Sequence, residues 1–108
     1  IHKSVTVENG AKIANDVVIG PFCQIGKDVV LESGCILESN IILRGKLHIH
    51  SDVKIFSFTT IGNENSTITI GEKTHIREFV QIGSQESENT PTIIKVGTNN
   101  FLMGYVQI

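Results

Sequence analysis

An aliphatic residue recurs at every sixth position from Ile1 to Ile61: Ile1, Val7, Ile13, Ile19, Ile25, Leu31, Leu37, Leu43, Ile49, Ile55 and Ile61. A period of six fits neither the 3.6 of a helix nor the simple alternation of a hairpin meander. An unbroken repeat of this kind is the mark of a solenoid. The position four residues on is restricted as well: Val5, Ala11, Val17, Cys23, Val29, Cys35, Ile41, Leu47, Val53 and Thr59, none of them charged. Glycine often follows the aliphatic opener, as in Ile19-Gly20, Ile25-Gly26, Ile61-Gly62, Ile70-Gly71, Ile82-Gly83 and Val96-Gly97. These features form a hexapeptide repeat and predict an all-β chain wound as a parallel β-helix.

In such a helix one hexad makes a short strand and a corner, and three hexads close one triangular coil. The opener points inward and stacks on the residue eighteen positions away, so Ile1, Ile19, Leu37 and Ile55 form one column. Small residues fit beneath the corners, and glycine permits the backbone angles that turning needs. Each strand pairs with those of neighbouring coils about 4.8 Å away. Burial and hydrogen bonding therefore grow one coil at a time.

The chain of 108 residues is read as one domain, with a net charge of −2 and no Trp. That charge argues against nucleic acid or an anionic membrane as the main partner. No apolar run is long enough to span a bilayer and no signal peptide is visible, so no stable membrane insertion is expected. Cys23 and Cys35 both take the inward small position, twelve residues apart and hence on different faces. They are expected to be buried free thiols in a reducing compartment.

The frame holds to Gly62 and then slips twice. The opener after Ile61 is Ile70, nine residues on, which places an insertion around residues 63–67 and a loop at about 63–69. The frame continues through Ile76 and Ile82. The next opener is Val96, fourteen residues on, which predicts a second loop at about 83–95 around the polar run Ser84 to Pro91. Let Ile1 open face A, Val7 face B and Ile13 face C. Ile61 and Ile82 then both open face B, and Ile70 and Val96 both open face C. Both loops leave one corner in consecutive coils, which marks that corner as functional.

The third residue after each face-A opener is Ser4, Phe22, Asn40, Phe58, Phe79 and Tyr105. This column is expected to face outward. Four aromatics in six coils are too many for a solvated face and predict a subunit interface. Ile108 opens a hexad with nothing after it, and Ile1 begins in frame. An uncapped β-helix offers bare strand edges to solvent. The chain is therefore expected to be a piece of a longer solenoid that lacks later coils, or an unusually abrupt one.

From Ile1 to Ile108 the sequence resembles the N-terminal half of the bacterial UDP-N-acetylglucosamine O-acyltransferases. The resemblance rests on Ile1-His2-Lys3-Ser4, on Ile19-Gly20-Pro21-Phe22-Cys23, and more narrowly on two later stretches. These are Ile76-Arg77-Glu78-Phe79-Val80-Gln81-Ile82 and Val96-Gly97-Thr98-Asn99-Asn100-Phe101-Leu102-Met103. The family implies a left-handed coil, an exception to the usual right-handed crossover. It further implies a cytoplasmic homotrimer that moves a 3-hydroxyacyl group from acyl carrier protein to the sugar hydroxyl of UDP-N-acetylglucosamine, the first step of lipid A synthesis. No metal or redox cofactor takes part, and a single His is the general base.

The sequence departs from that family at the site. A His-Val-Ala-His-Asp-Cys-like motif should follow Met103, but Gln107 falls where its first His would be. The resemblance puts the base just beyond Ile108, so no catalytic residue is assigned within the chain. Gly83 stands where some members carry His, and Asn63 to Thr67 is shorter than the family's sugar-contacting loop. Gln107, Gly83, Met103 and Arg77 are the substrate-binding candidates. Arg77-Glu78 also reads as a surface ion pair, and Arg44, Lys46, Lys73 and Arg77 are basic residues that an acidic carrier protein would meet. The shortened loop and Gly83 keep open a hexapeptide transferase with another acceptor sugar, and a non-catalytic β-helix that only assembles is a third reading.

General-base chemistry needs a His held within reach of the hydroxyl. His2 and His50 directly follow openers, while His48 and His75 directly precede them. All four are expected on outer corners or edges, as solvated side chains. His48-x-His50 has the spacing of a metal pair, but no Cys or third His falls in register, so no metal site and no cofactor are assigned.

Overall fold

A computed structural model describes residues 4–62, 66–82, 92–97 and 101–102. Fifteen short strands follow one another along the described chain. They are β1 (Thr6–Val7), β2 (Lys12–Ile13), β3 (Val18–Ile19), β4 (Gln24–Ile25) and β5 (Val29–Leu31). Next come β6 (Ile36–Leu37), β7 (Ile42–Leu43), β8 (Lys46–Ile49), β9 (Lys54–Ile55) and β10 (Thr60–Ile61). The last five are β11 (Ser66–Ile70), β12 (His75–Ile76), β13 (Gln81–Ile82), β14 (Thr92–Val96) and β15 (Phe101–Leu102). No helix occurs among the described residues.

Every third strand joins the same sheet. The three five-stranded sheets run β1-β4-β7-β10-β13, β2-β5-β8-β11-β14 and β3-β6-β9-β12-β15, and every pairing is parallel. These are faces B, C and A of the hexad count. The count survives both interruptions of the frame, because Ile61 pairs with Ile82 and Ile70 pairs with Val96.

The interior follows from the openers. Ile19, Leu37, Ile55 and Ile76 stack on face A, Ile25, Leu43, Ile61 and Ile82 on face B, and Leu31, Ile49 and Ile70 on face C, all buried. Each contributes roughly 1.5–3 kcal/mol of hydrophobic burial. The backbone ladder runs from coil to coil, as in Gly20 N–H to the Leu37 carbonyl (2.9 Å) and Glu38 N–H to the Ile55 carbonyl (3.0 Å). Val7 is exposed and Ile13 half-buried in the first described coil, which has a neighbour on one side.

The second restricted position is also inward. Cys23, Val29, Cys35, Ile41, Leu47, Val53, Thr59, Ile68, Thr74 and Val80 are all buried there. Where that residue is polar, it donates to a backbone carbonyl of the adjoining coil. Thr59 Oγ1 reaches the Arg77 carbonyl (2.8 Å), Thr74 Oγ1 the Gly97 carbonyl (2.9 Å) and Cys35 Sγ the His50 carbonyl (3.1 Å). A buried hydroxyl is tolerated because it is bonded. Both cysteines are free and buried, and burial pushes their thiols up.

Glycine matters most at Gly20. A Cβ there would lie 2.0 Å from the Glu38 carbonyl oxygen, so the first residue of this corner admits no side chain.

The structure corrects the loop bounds of about 63–69 and 83–95. Ser66–Ile70 and Thr92–Val96 are strands, paired in register with each other, and β11 also pairs with Lys46–Ile49 of β8. Those loop bounds run up to each opener, whereas both strands begin four residues before it. Thr67-Ile68-Thr69-Ile70 instead alternates in the β manner, and Ile68 fills the inward small position two residues before the opener. Residues 63–65 and 83–91 lie outside the described residues.

Candidate functional site

The three corners of the prism carry three different surfaces. Both interruptions of the hexad frame fall between a face-B strand and a face-C strand, β10 to β11 and β13 to β14. They share one corner in consecutive coils, as the face count requires. In the earlier coils that corner holds a hollow lined by Glu8, Gly26, Lys27, Asp28, Arg44 and Gly45. It is a charged recess with both signs present.

The corner after face A carries the aromatics. Phe22, Phe58 and Phe79 are 63%, 55% and 48% exposed. All three, with Asn40 among them, sit at positive φ, 62°, 63°, 60° and 57° respectively. That left-handed conformation suits Asn and Gly, and a bulky residue there carries backbone strain of about 1–3 kcal/mol. Phe58 and Phe79 stack with centroids 5.5 Å apart and planes 7° off parallel. Beside them lies a shallow groove floored by Gln24, Ile42 and Thr60. Tyr105, the sixth position of this column, lies outside the described residues.

Of the four substrate-binding candidates, the structure describes Arg77. Gly83, Met103 and Gln107 fall outside the described residues. Arg77 Nε donates to Glu78 Oε1 at 3.0 Å, and its guanidinium lies over the Phe56 ring, 4.3 Å from the centroid. Lys54 Nζ approaches the same ring at 4.7 Å. Accepting from Arg77 holds the Glu78 carboxyl below its usual range. The sequence reading found the Arg77-Glu78 pair but missed Phe56, whose ring gathers two cations on one side of the prism. The register alone places Phe56 and Arg77 in one column, each directly after a paired face-A opener, and side-chain reach brings Lys54 to the same ring.

The corner after face C brings together residues the sequence reading kept apart. His48 lies on β8, and His50 follows the opener Ile49. Glu32 follows Leu31, the opener that pairs with Ile49. The Glu32 carboxylate accepts a hydrogen bond from His48 Nε2 and lies 3.3 Å from His50 Nδ1. The two imidazoles stack at 4.3 Å, 16° from parallel. The His48 hydrogen bond, then the positive potential of His50 and His48 and the Ser51 hydroxyl, hold the Glu32 carboxyl below its ordinary range. His48 and His50 are half-exposed, and so is His75 on β12, while His2 lies outside the described residues.

Comparisons with known proteins follow this geometry closely. Residues 10–44 match the family model described as bacterial transferase hexapeptide (six repeats). The whole chain aligns at 34% identity with the acyl-[acyl-carrier-protein]–UDP-N-acetylglucosamine O-acyltransferases of Thermodesulfovibrio yellowstonii and Rickettsia peacockii, covering 45% and 44% of those proteins. Among solved structures, LpxA from Acinetobacter baumannii superposes over 99% of the chain with a TM-score of 0.88 at 29% identity. A second UDP-N-acetylglucosamine acyltransferase matches with a TM-score of 0.87 at 32% identity, and the chain covers 44% of it. The chain spans a little under half the length of the relatives it matches. By its repeat, its coils and its relatives, the chain is a hexapeptide-repeat parallel β-helix of the kind found in UDP-N-acetylglucosamine O-acyltransferases.

Proposed function

We propose that the chain is the N-terminal part of a cytoplasmic, homotrimeric acyltransferase. It moves a 3-hydroxyacyl group from acyl carrier protein to a sugar hydroxyl of UDP-N-acetylglucosamine, the first step of lipid A synthesis. Further coils and a C-terminal helical domain complete the protein. The carrying observation is the alignment of the entire chain, at 34% identity, with relatives bearing that activity in their names.

In the proposed reaction a His supplied beyond Ile108 takes the proton of the sugar hydroxyl. The oxygen attacks the thioester carbonyl, the C–S bond breaks, and the carrier thiol leaves with the proton. Arg77, Gly83, Met103 and Gln107 face the substrates in this reading. Arg77 is suited to a phosphate or carbonyl because ring and carboxylate already fix its guanidinium, so little entropy is lost on contact. Arg44, Lys46 and Lys73 lend positive charge towards the acidic carrier protein. The exposed, strained phenylalanines after face A support subunit contact there, since burying them recovers apolar area that the isolated prism leaves in water.

Turnover with an acyl carrier protein thioester and UDP-N-acetylglucosamine tests the proposal. The complete protein is expected to transfer the acyl group, and residues 1–108 alone are expected to give none. Transfer by the 108 residues alone would overturn the placement of the base, and no transfer by the complete protein would overturn the activity.

A second reading keeps the chemistry and changes the acceptor to a different nucleotide sugar. The aligned stretch is 117 positions long against 108 residues here, which leaves nine positions of the relatives without a counterpart. Assigned to the first insertion, they shorten the loop that would contact the sugar. The same assay with other UDP-amino sugars separates the two readings.

A further inference from the structure

We propose that Glu32, His48 and His50 form a binding site for a borderline divalent cation of the zinc class. One ligand atom from each residue lies within 4.8 Å of the other two, among the described residues. The donor set is two imidazole nitrogens and one carboxylate oxygen, the mixture that zinc takes readily and that magnesium or calcium does not. Tetrahedral ligands with bonds near 2.0–2.2 Å stand about 3.3 Å apart. His50 Nδ1 and Glu32 Oε2 are already at 3.3 Å. His48 Nε2 is aimed at the same oxygen, so a cation entering between the three ligand atoms takes the place of the His48–Glu32 hydrogen bond.

The coil geometry holds all three ligands in place. Val30 pairs with His48 and Leu31 with Ile49, which fixes the two coils in register beneath the site. Glu32 N–H donates to the Ile49 carbonyl (3.0 Å) and Cys35 Sγ to the His50 carbonyl (3.1 Å). Ser51 Oγ donates to Glu32 Oε1 (3.4 Å), occupying the other carboxylate oxygen and leaving Oε2 to the cation. Supporting hydrogen bonds of this kind orient ligands and raise affinity. The stacked imidazoles already face one way, so little side-chain entropy opposes binding. With three protein ligands, the fourth position of a tetrahedral ion is left to water or an incoming group. The site lies on the corner after face C, away from the corner that carries both insertions. Its test reads metal binding and not acyl transfer, so it stands or falls without that reading.

The test is zinc titration of the chelator-treated protein that carries this chain, followed by calorimetry and by melting temperature. One zinc ion per chain at this site is expected, with a raised melting temperature, and magnesium is expected to leave the melting temperature unchanged. Glu32→Gln and His48→Gln should each weaken zinc binding by at least about tenfold to a hundredfold, the loss typical of supporting groups alone. Circular dichroism checks that both half-exposed substitutions fold. Cobalt in place of zinc should give the visible bands of a tetrahedral ion in the parent and lose them in both variants. Absence of saturable zinc binding would overturn the proposal. So would variants that bind as tightly as the parent, since they would move the metal to another His or thiol.

Discussion

The corners after faces A and C make the same left-handed turn and fill it with different residues. After face A the third positions are Phe22, Asn40, Phe58 and Phe79, at φ between 57° and 63°. After face C they include Gly34, Asp52 and Lys73, at 82°, 62° and 59°. Gly and Asp adopt this conformation at small cost, whereas a phenylalanine gains nothing from it. At the face-C corner the short polar residues also bond along the stack. Asp16 accepts from Ser33 Oγ (2.7 Å) and from the Gly34 N–H (3.2 Å), which holds its carboxyl below the usual range. The face-A corner keeps a similar bond between Ser39 and Ser57 hydroxyls (3.1 Å), yet places exposed rings beside it. The turn itself therefore asks for nothing aromatic, and the rings answer to something outside the coil.

The prism common to both corners sets the largest expected effect. Leu37→Ala removes a buried opener and should cost about 3 kcal/mol, read as a fall in the urea midpoint. A cost below about 1 kcal/mol would show that the inward column is loosely packed, and both corners would lose their shared foundation. The difference between the corners is sharpened next. Phe58→Asp should reduce the mass measured by light scattering to that of a single chain, with circular dichroism unchanged. Asp52→Gly, at the equivalent turn, should leave the mass as it is and shift stability by less than about 1 kcal/mol, because relieved strain and lost chain stiffness nearly cancel. Unchanged mass in both variants would erase the distinction between the corners.

The smallest effect belongs to pH. The Glu32 carboxyl titrates below its ordinary value of 4.5 in the folded chain, chiefly because His48 bonds to it. Its contribution is present above that ordinary value and is lost as pH falls through the lower folded value. In metal-free protein, Glu32→Gln should therefore flatten the acid limb of stability below about pH 4.5 and leave neutral pH little changed. An acid limb identical in parent and variant would remove Glu32 from the account.

Much of this was legible in the chain. The six-residue period located Ile19 through Ile82 in the interior, and counting hexads put Ile61 with Ile82 and Ile70 with Val96 across both interruptions. The outward column of Phe22, Phe58 and Phe79 followed from the same count. The strand starts at Ser66 and Thr92 did not, because the count used openers and ignored the alternation before them. Glu32 was within reach too: it lies eighteen residues before His50, in the same column. A third ligand restricted to Cys or His does not include it.

What the sequence determined alone is periodic: which side chains face in, which corner each residue occupies, and which coils adjoin. The repeat fixes these because every coil must bury the same face against the next. What only the tertiary structure decided is the reach of side chains across that lattice. The period stacks Glu32 with His50 and Phe56 with Arg77, but the shared carboxylate, the stacked imidazoles and the cation over the ring depend on rotamers and close approach, which a period of six cannot encode.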